Sequence, residues 1–125
     1  MAYDTPNYLV WGELPVTDLD QAAAFYSAVI GAKMMIDENG PNPMAIFRPF
    51  SEEEGIAMHL YPGKPAPRGT GPTLHLAAEG TAEDIMKRVE TAGGTVLSDP
   101  IPLPVGRFFY AEDLDGNSIG FYEAG

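Results

Sequence analysis

The chain has 125 residues, 45% of them hydrophobic, which suits one ordinary domain with a core of its own and leaves no room for two. It contains no cysteine, so disulfides, thiolate metal sites and a cysteine nucleophile are excluded, and any metal must use nitrogen and oxygen donors. Eighteen acidic against seven basic side chains give a net charge of −11, which repels phosphate backbones and anionic lipid, so neither nucleic acid nor a membrane surface is an expected partner.

Met1 to Tyr8 carry neither the basic start nor the apolar stretch of a signal peptide, and no apolar run approaches the length of a membrane span. A cytoplasmic protein is the resulting expectation. Tyr8 to Pro15 alternates like a strand. Thr17, Asp18, Leu19 and Asp20 then open a stretch in which Ala22, Ala23, Tyr26, Val29 and Ile30 recur at helical spacing, with Gly31 as the stop. The Thr17 hydroxyl is the expected cap and Asp20 the expected charge at the positive helix end. Three strands follow, at Lys33 to Asp37, Met44 to Arg48 and Ile56 to Tyr61.

The segment 63–71 is rich in proline and glycine, holds no core-forming residue and reads as a linker. Beyond it the pattern repeats. Thr73 to Ala78 reads as a strand, and Thr81 with Asp84 opens a helix whose Ile85, Met86, Val89 and Ala92 share a face that Gly93 and Gly94 end. Further strands are expected at Thr95 to Ser98, Arg107 to Ala111 and Ser118 to Tyr122. The acids of Asp113 to Asn117 lack the ligand alternation and distal glutamate of a calcium loop and read as a hairpin turn, with Gly116 or Asn117 able to take positive φ. A shift of 62 residues lays Trp11 and Glu13 on Thr73 and His75, and Met58 on Gly120. One domain over 1–125 is therefore expected, built from modules 5–62 and 72–125.

Glu13, Leu14, Pro15, Val16, Thr17, Asp18, Leu19 and Asp20, followed by Phe25, Tyr26, Ile30 and Gly31, resemble the opening of a vicinal-oxygen-chelate module. The closing run from Asp113 through Gly116 and Asn117 to Gly120 is similar to that superfamily's final signature. Its members include glyoxalase I, bleomycin-resistance proteins, fosfomycin-resistance enzymes and extradiol dioxygenases. The resemblance implies an α+β fold of paired β-α-β-β-β modules, a curved mixed sheet around a cleft, helices on the outer face, and a homodimer. In metal-using members, histidine and glutamate at four strand positions hold the ion, and those positions match Trp11, Met58, Thr73 and Gly120 here. None of these is a usual ligand for a hard or borderline cation, so no cofactor is expected at the usual place.

Strand alternation with helices on one face sends Val10, Leu14, Val16, Leu74 and Leu76 outward and Trp11, Glu13, Thr73 and His75 into the cleft. By the same logic Ile119 and Phe121 support the core, while Ser118, Gly120 and Tyr122 face inward. Ile56 to Tyr61 is apolar on both faces, and the repeat match turns Met58 inward and His59 outward. Glu13 and His75 are then the convergent titratable pair, a candidate acid and base or a polar pair lining a pocket. With His59 they have the residue types of a variant divalent-metal site. Trp11, Met58, Thr73, Tyr110 and Gly120 are the candidate ligand contacts, with Arg107 as an anchor for an anionic group or, equally, a surface ion pair.

These residues lead to a glyoxalase and bleomycin-resistance-like protein that binds a small organic molecule in the cleft between its modules. Two alternatives stay open: a lyase or isomerase using Glu13 and His75, and a dimerising protein whose cleft is idle.

Overall fold

In a computed structural model, residues 8–47 and 57–123 are described. The elements run β1 (Trp11–Val16), α1 (Leu19–Ile30), β2 (Met35–Asp37), β3 (Met44–Ile46), β4 (Ala57–Pro62), β5 (Leu74–Ala78), α2 (Ala82–Thr91), β6 (Thr95–Val96), β7 (Ile101–Leu103), β8 (Gly106–Glu112) and β9 (Ser118–Glu123). Arg48 and Ile56, the expected ends of two strands, lie outside the described residues.

The strands form two sheets, β1-β4-β3-β2 and β5-β9-β8-β6, with β7 also paired to β8. Within each, the first strand of the module pairs parallel with the last, β1 with β4 and β5 with β9, while the other ladders are antiparallel. Each parallel pair spans a helical crossover, so the repeat seen in the sequence is a repeat of topology. Among the described residues no ladder joins β1 to β5. The expected α+β fold of paired β-α-β-β-β modules is thus present, its mixed sheet made of one four-stranded and one five-stranded part. The strand β7, absent from the expected elements, carries Pro102 and is flanked by Pro100 and Pro104. It pairs on one side only, where a proline costs no ladder bond.

Apolar faces of both helices close over the sheets. From α1 come Ala22, Ala23, Phe25, Tyr26, Val29 and Ile30, and from α2 Ala82, Ile85 and Val89, packed on Leu14, Val16, Leu60, Phe109, Ile119 and Phe121. Gly31 ends α1 in the left-handed conformation that a glycine adopts without strain, with φ of 88°. At the other end the cap is Asp18, whose carboxylate accepts from the Gln21 amide at 3.1 Å. Thr17, the residue expected there, instead binds Asp115 through its amide at 3.1 Å and its hydroxyl at 2.5 Å. Either short polar side chain can cap a helix, and the Asp115 loop decides between them. In α2 Thr81 caps as expected, accepting from the Asp84 amide at 3.2 Å.

Polar bonds tie the modules together. Asp113, buried in the loop after β8, accepts from the Tyr26 hydroxyl at 2.6 Å, from the Asn117 side chain at 3.0 Å and from the amides of Asp115 and Asn117. Asn117 in turn donates to the Pro15 carbonyl at 3.0 Å. Gly116 turns this loop with φ of 83°, and Arg68 of the linker lies across it and pairs with buried Glu112. On the helix side, the Arg88 guanidinium donates to the Val29 carbonyl at 3.0 and 2.9 Å and to the Glu79 carbonyl. Among the described residues no helix is long and apolar enough to cross a membrane.

Candidate functional site

Each sheet has one face under the helices and one open face. On the first sheet the register Trp11↔Ala57, Glu13↔His59, Pro15↔Tyr61 places those side chains together on the open face. The next register positions, Gly12↔Met58 and Leu14↔Leu60, belong to the helix-covered face. Met58 is only 4% exposed within the core, while His59 sits beside Glu13. The expected orientation of β4, Met58 inward and His59 outward, is therefore reversed. Periodicity could not decide it, because the partner strand sets the face and that pairing is nonlocal.

The indole N–H of Trp11 donates to Nδ1 of His59 at 2.9 Å, and Nε2 of the same ring lies 3.8 Å from Oε1 of Glu13. The ring of Tyr61 is 6.0 Å from that of His59. Thus the histidine that Glu13 meets is His59. The expected partner, His75, belongs to the other sheet.

The second open face is aromatic. His75, Gly120 and Tyr110 are aligned across β5, β9 and β8, with Phe108 beside Tyr122 one step along. The His75 ring lies over Gly120, where any Cβ would collide with the imidazole. Its neighbours are Phe108 and Tyr110, at ring distances of 5.1 and 5.8 Å and in edge-to-face geometry. Thr73, at the start of β5, shares a 2.6 Å hydroxyl hydrogen bond with Ser118. Arg107 is committed elsewhere: its fork binds Glu83 at 2.9 and 2.8 Å, and it reaches Glu123 at 2.7 Å. These bonds hold both carboxyls below their ordinary range, and Glu123 also accepts from the Ala82 amide at 2.7 Å.

Between the modules, where the edges of β1 and β5 approach, is a cavity of about 580 Å³. Gly12, Ile30, Phe47 and Met58 line it from the first module, and Thr73, Leu74, His75 and Leu76 from the second. Its walls are apolar apart from Thr73 and His75. A shallower groove of about 600 Å³ runs between α1 and α2, beside Phe25, Leu114 and Lys87, away from both open faces.

The profile of the Glyoxalase/Bleomycin resistance protein/Dioxygenase superfamily matches residues 6–121. The chain belongs to that superfamily. No curated protein matches it. Solved glyoxalase-superfamily structures of similar fold include a glyoxalase/bleomycin resistance protein from Albidiferax ferrireducens T118, 20% identical with a TM-score of 0.70, covering 95% of this chain and 100% of that one. Hypothetical protein SA1046 from S. aureus is 22% identical with a TM-score of 0.68, covering 92% and 96% respectively. A variant of the fosfomycin resistance protein FosX from Listeria monocytogenes, complexed with Mn(II) and 1S,2S-dihydroxypropylphosphonic acid, is 18% identical with a TM-score of 0.64, covering 97% and 95%.

The four positions that the superfamily resemblance assigns to a metal do not fit one in this chain. Trp11 is bonded to His59 on one open face, Met58 is in the core, Thr73 is bonded to Ser118, and the space above Gly120 is filled by His75. Among the described residues no group of three or more histidine, aspartate or glutamate side chains gathers at one point. The variant set of Glu13, His59 and His75 is accordingly split, with Glu13 and His59 adjacent and His75 apart from them.

Proposed function

We propose that this glyoxalase-superfamily chain binds a small, largely apolar organic molecule in the cavity between its modules, without a divalent metal at the superfamily's usual positions. The observation that carries this reading is the cavity itself. At about 580 Å³ it has the size of a small-ligand site, and both modules contribute to its lining. Met58, Leu74 and Leu76 supply adaptable apolar surface, while Thr73 and His75 are the groups able to orient a polar end. The FosX complex supports the reading in one respect: that protein holds a small organic molecule on the same fold. Arg107, already paired with two carboxylates, is assigned to the frame and not to the ligand. The edges of β1 and β5, which carry no mutual ladder, favour a homodimer as the working assembly.

Nile red, a neutral dye whose emission moves to the blue in apolar surroundings, tests the cavity. The expected result is saturable blue-shifted emission with the native protein, lost when the exposed lining residues are enlarged in the double variant Ala32→Phe, Ala77→Phe. Equal binding by that variant, with its fold unchanged by circular dichroism, would refute the assignment.

A further inference from the structure

The groove of about 600 Å³ between α1 and α2 shares no lining residue with the cavity between the modules. Neighbouring helices ordinarily fill such a space by interdigitating larger side chains. Here the exposed positions one turn apart on α1 are Ala24 and Ala28, so the gap stays open above Phe25, which is 2% exposed. The Phe25 ring in turn packs against Gly94, where any Cβ would collide with it. Leu114, 37% exposed, bounds the groove beside Gly93.

No carboxylate lines this groove, although acids outnumber bases by eighteen to seven in the chain. Its charged groups are Lys87 and Arg88. The Arg88 guanidinium is occupied by the carbonyls of Val29 and Glu79 and ties the helices together at one end. Lys87 makes neither an ion pair nor a hydrogen bond among the described residues. An apolar floor beside one unpaired ammonium is the complement of an amphiphile with a single negative head. The net charge of −11 opposes an anion at long range, but salt screens that field beyond about 8–10 Å, whereas Lys87 acts at contact distance.

The groove's length bounds the ligand. Between Gln21 and Ala28, both at its edge, α1 rises about 10 Å, close to the extended length of an eight-carbon acid. A protein partner needs about 800 Å² on each side for a stable interface, which a groove this short does not supply.

We propose that the groove between α1 and α2 is a second binding site, distinct from the cavity, for a free medium-chain monocarboxylate. Its chain lies along Ala28, Ala24, Phe25 and Leu114, and its head group pairs with Lys87.

Octanoate is the probe, followed by nitrogen-15 NMR of the native protein. Saturable amide shifts are expected at Ala24, Ala28, Thr91 and Leu114, and they should persist in the rim variant Ala32→Phe, Ala77→Phe. Octylammonium, with the same tail and the opposite head, should bind about tenfold more weakly or worse. Lys87→Gln should weaken octanoate about two- to fivefold, the range of an exposed ion pair, and leave octan-1-ol unchanged. Ala24→Trp, at an exposed position, should fill the groove and abolish the shifts. Equal binding of octanoate and octylammonium, or no saturable shift with octanoate, overturns the proposal without any variant. Shifts at Thr73, His75 and Leu76 that vanish in the rim variant would also overturn it, while supporting the cavity as the ligand site. The same groove shifts produced by phosphatidylglycerol vesicles would overturn it in favour of a lipid surface.

Discussion

The hydroxyl of Tyr26 donates at 2.6 Å to the carboxylate of Asp113, 87 positions away, and joins the buried face of α1 in one module to the loop after β8 in the other. Burial, and then the charge and hydrogen bond of Asp113, push the tyrosine pKa well above its ordinary 10.0. Tyr26→Phe keeps the ring and removes the donor, leaving a buried carboxylate short of one partner. The expected cost is about 2 kcal/mol in urea unfolding. A group whose folded pKa is raised gives its stability in full below the unfolded value and loses it as pH climbs past that value towards the folded one. Native protein should therefore lose stability above about pH 10 more steeply than Tyr26→Phe does. Parallel alkaline profiles would contradict this account.

Arg68 lies in the linker, yet it pairs with Glu112, a side chain only 9% exposed. The guanidinium is itself more than half exposed, so the gain is partly screened and the cost of Arg68→Ala is about 1–2 kcal/mol rather than the larger value for a fully buried pair. Because the linker is strapped to the second module by this contact, the same variant should be cut faster in the segment 63–71 by limited proteolysis. Unchanged stability and unchanged cleavage would show the pair to be idle.

Gly120 is bare because His75 occupies the space above it. Gly120→Ala forces the imidazole off its seat between Phe108 and Tyr110, at an expected cost of about 1–3 kcal/mol. The diagnostic measurement is a double-mutant cycle. In a His75→Ala background the same substitution should cost little, since the clashing ring is gone. Additive costs would place the strain elsewhere than in this contact.

Arg107 holds the carboxyls of Glu83 and Glu123 below their ordinary 4.5 through its hydrogen bonds. A lowered folded pKa contributes stability above the unfolded value and loses it as pH falls through the folded one. In Arg107→Gln the carboxyl carbon-13 titrations of both glutamates should move up, and Glu123, which keeps the Ala82 amide, should move less than the loss of all its partners would produce. Unmoved midpoints would mean that the fork seen here is not populated in solution. Ligand binding in the cavity should be insensitive to this substitution.

Much of the architecture was legible in local pattern. Helical spacing located both helices, Gly31 and Thr81 marked two of their ends, and Gly116 took the positive φ expected of the hairpin turn. Two local readings changed in the fold. Thr17 lost the capping role to Asp18 because Asp115 engages it from the other module, and β7 was masked by its prolines.

The site divides along the same line. Alternation placed Trp11 and Glu13 on the open face from sequence alone, because residues two apart on a strand share a side whatever the strand pairs with. It could not say that His59 stands opposite Glu13, that Met58 enters the core, or that His75 lies over Gly120. The period of side chains is a property of one strand, whereas register, and with it the partner of every polar group, comes from contacts between strands tens of residues apart. The sequence by itself determined two matched modules, their helices and which residues of β1 share a face. Only the tertiary structure decided which histidine meets Glu13, and that the space over Gly120 belongs to an imidazole ring.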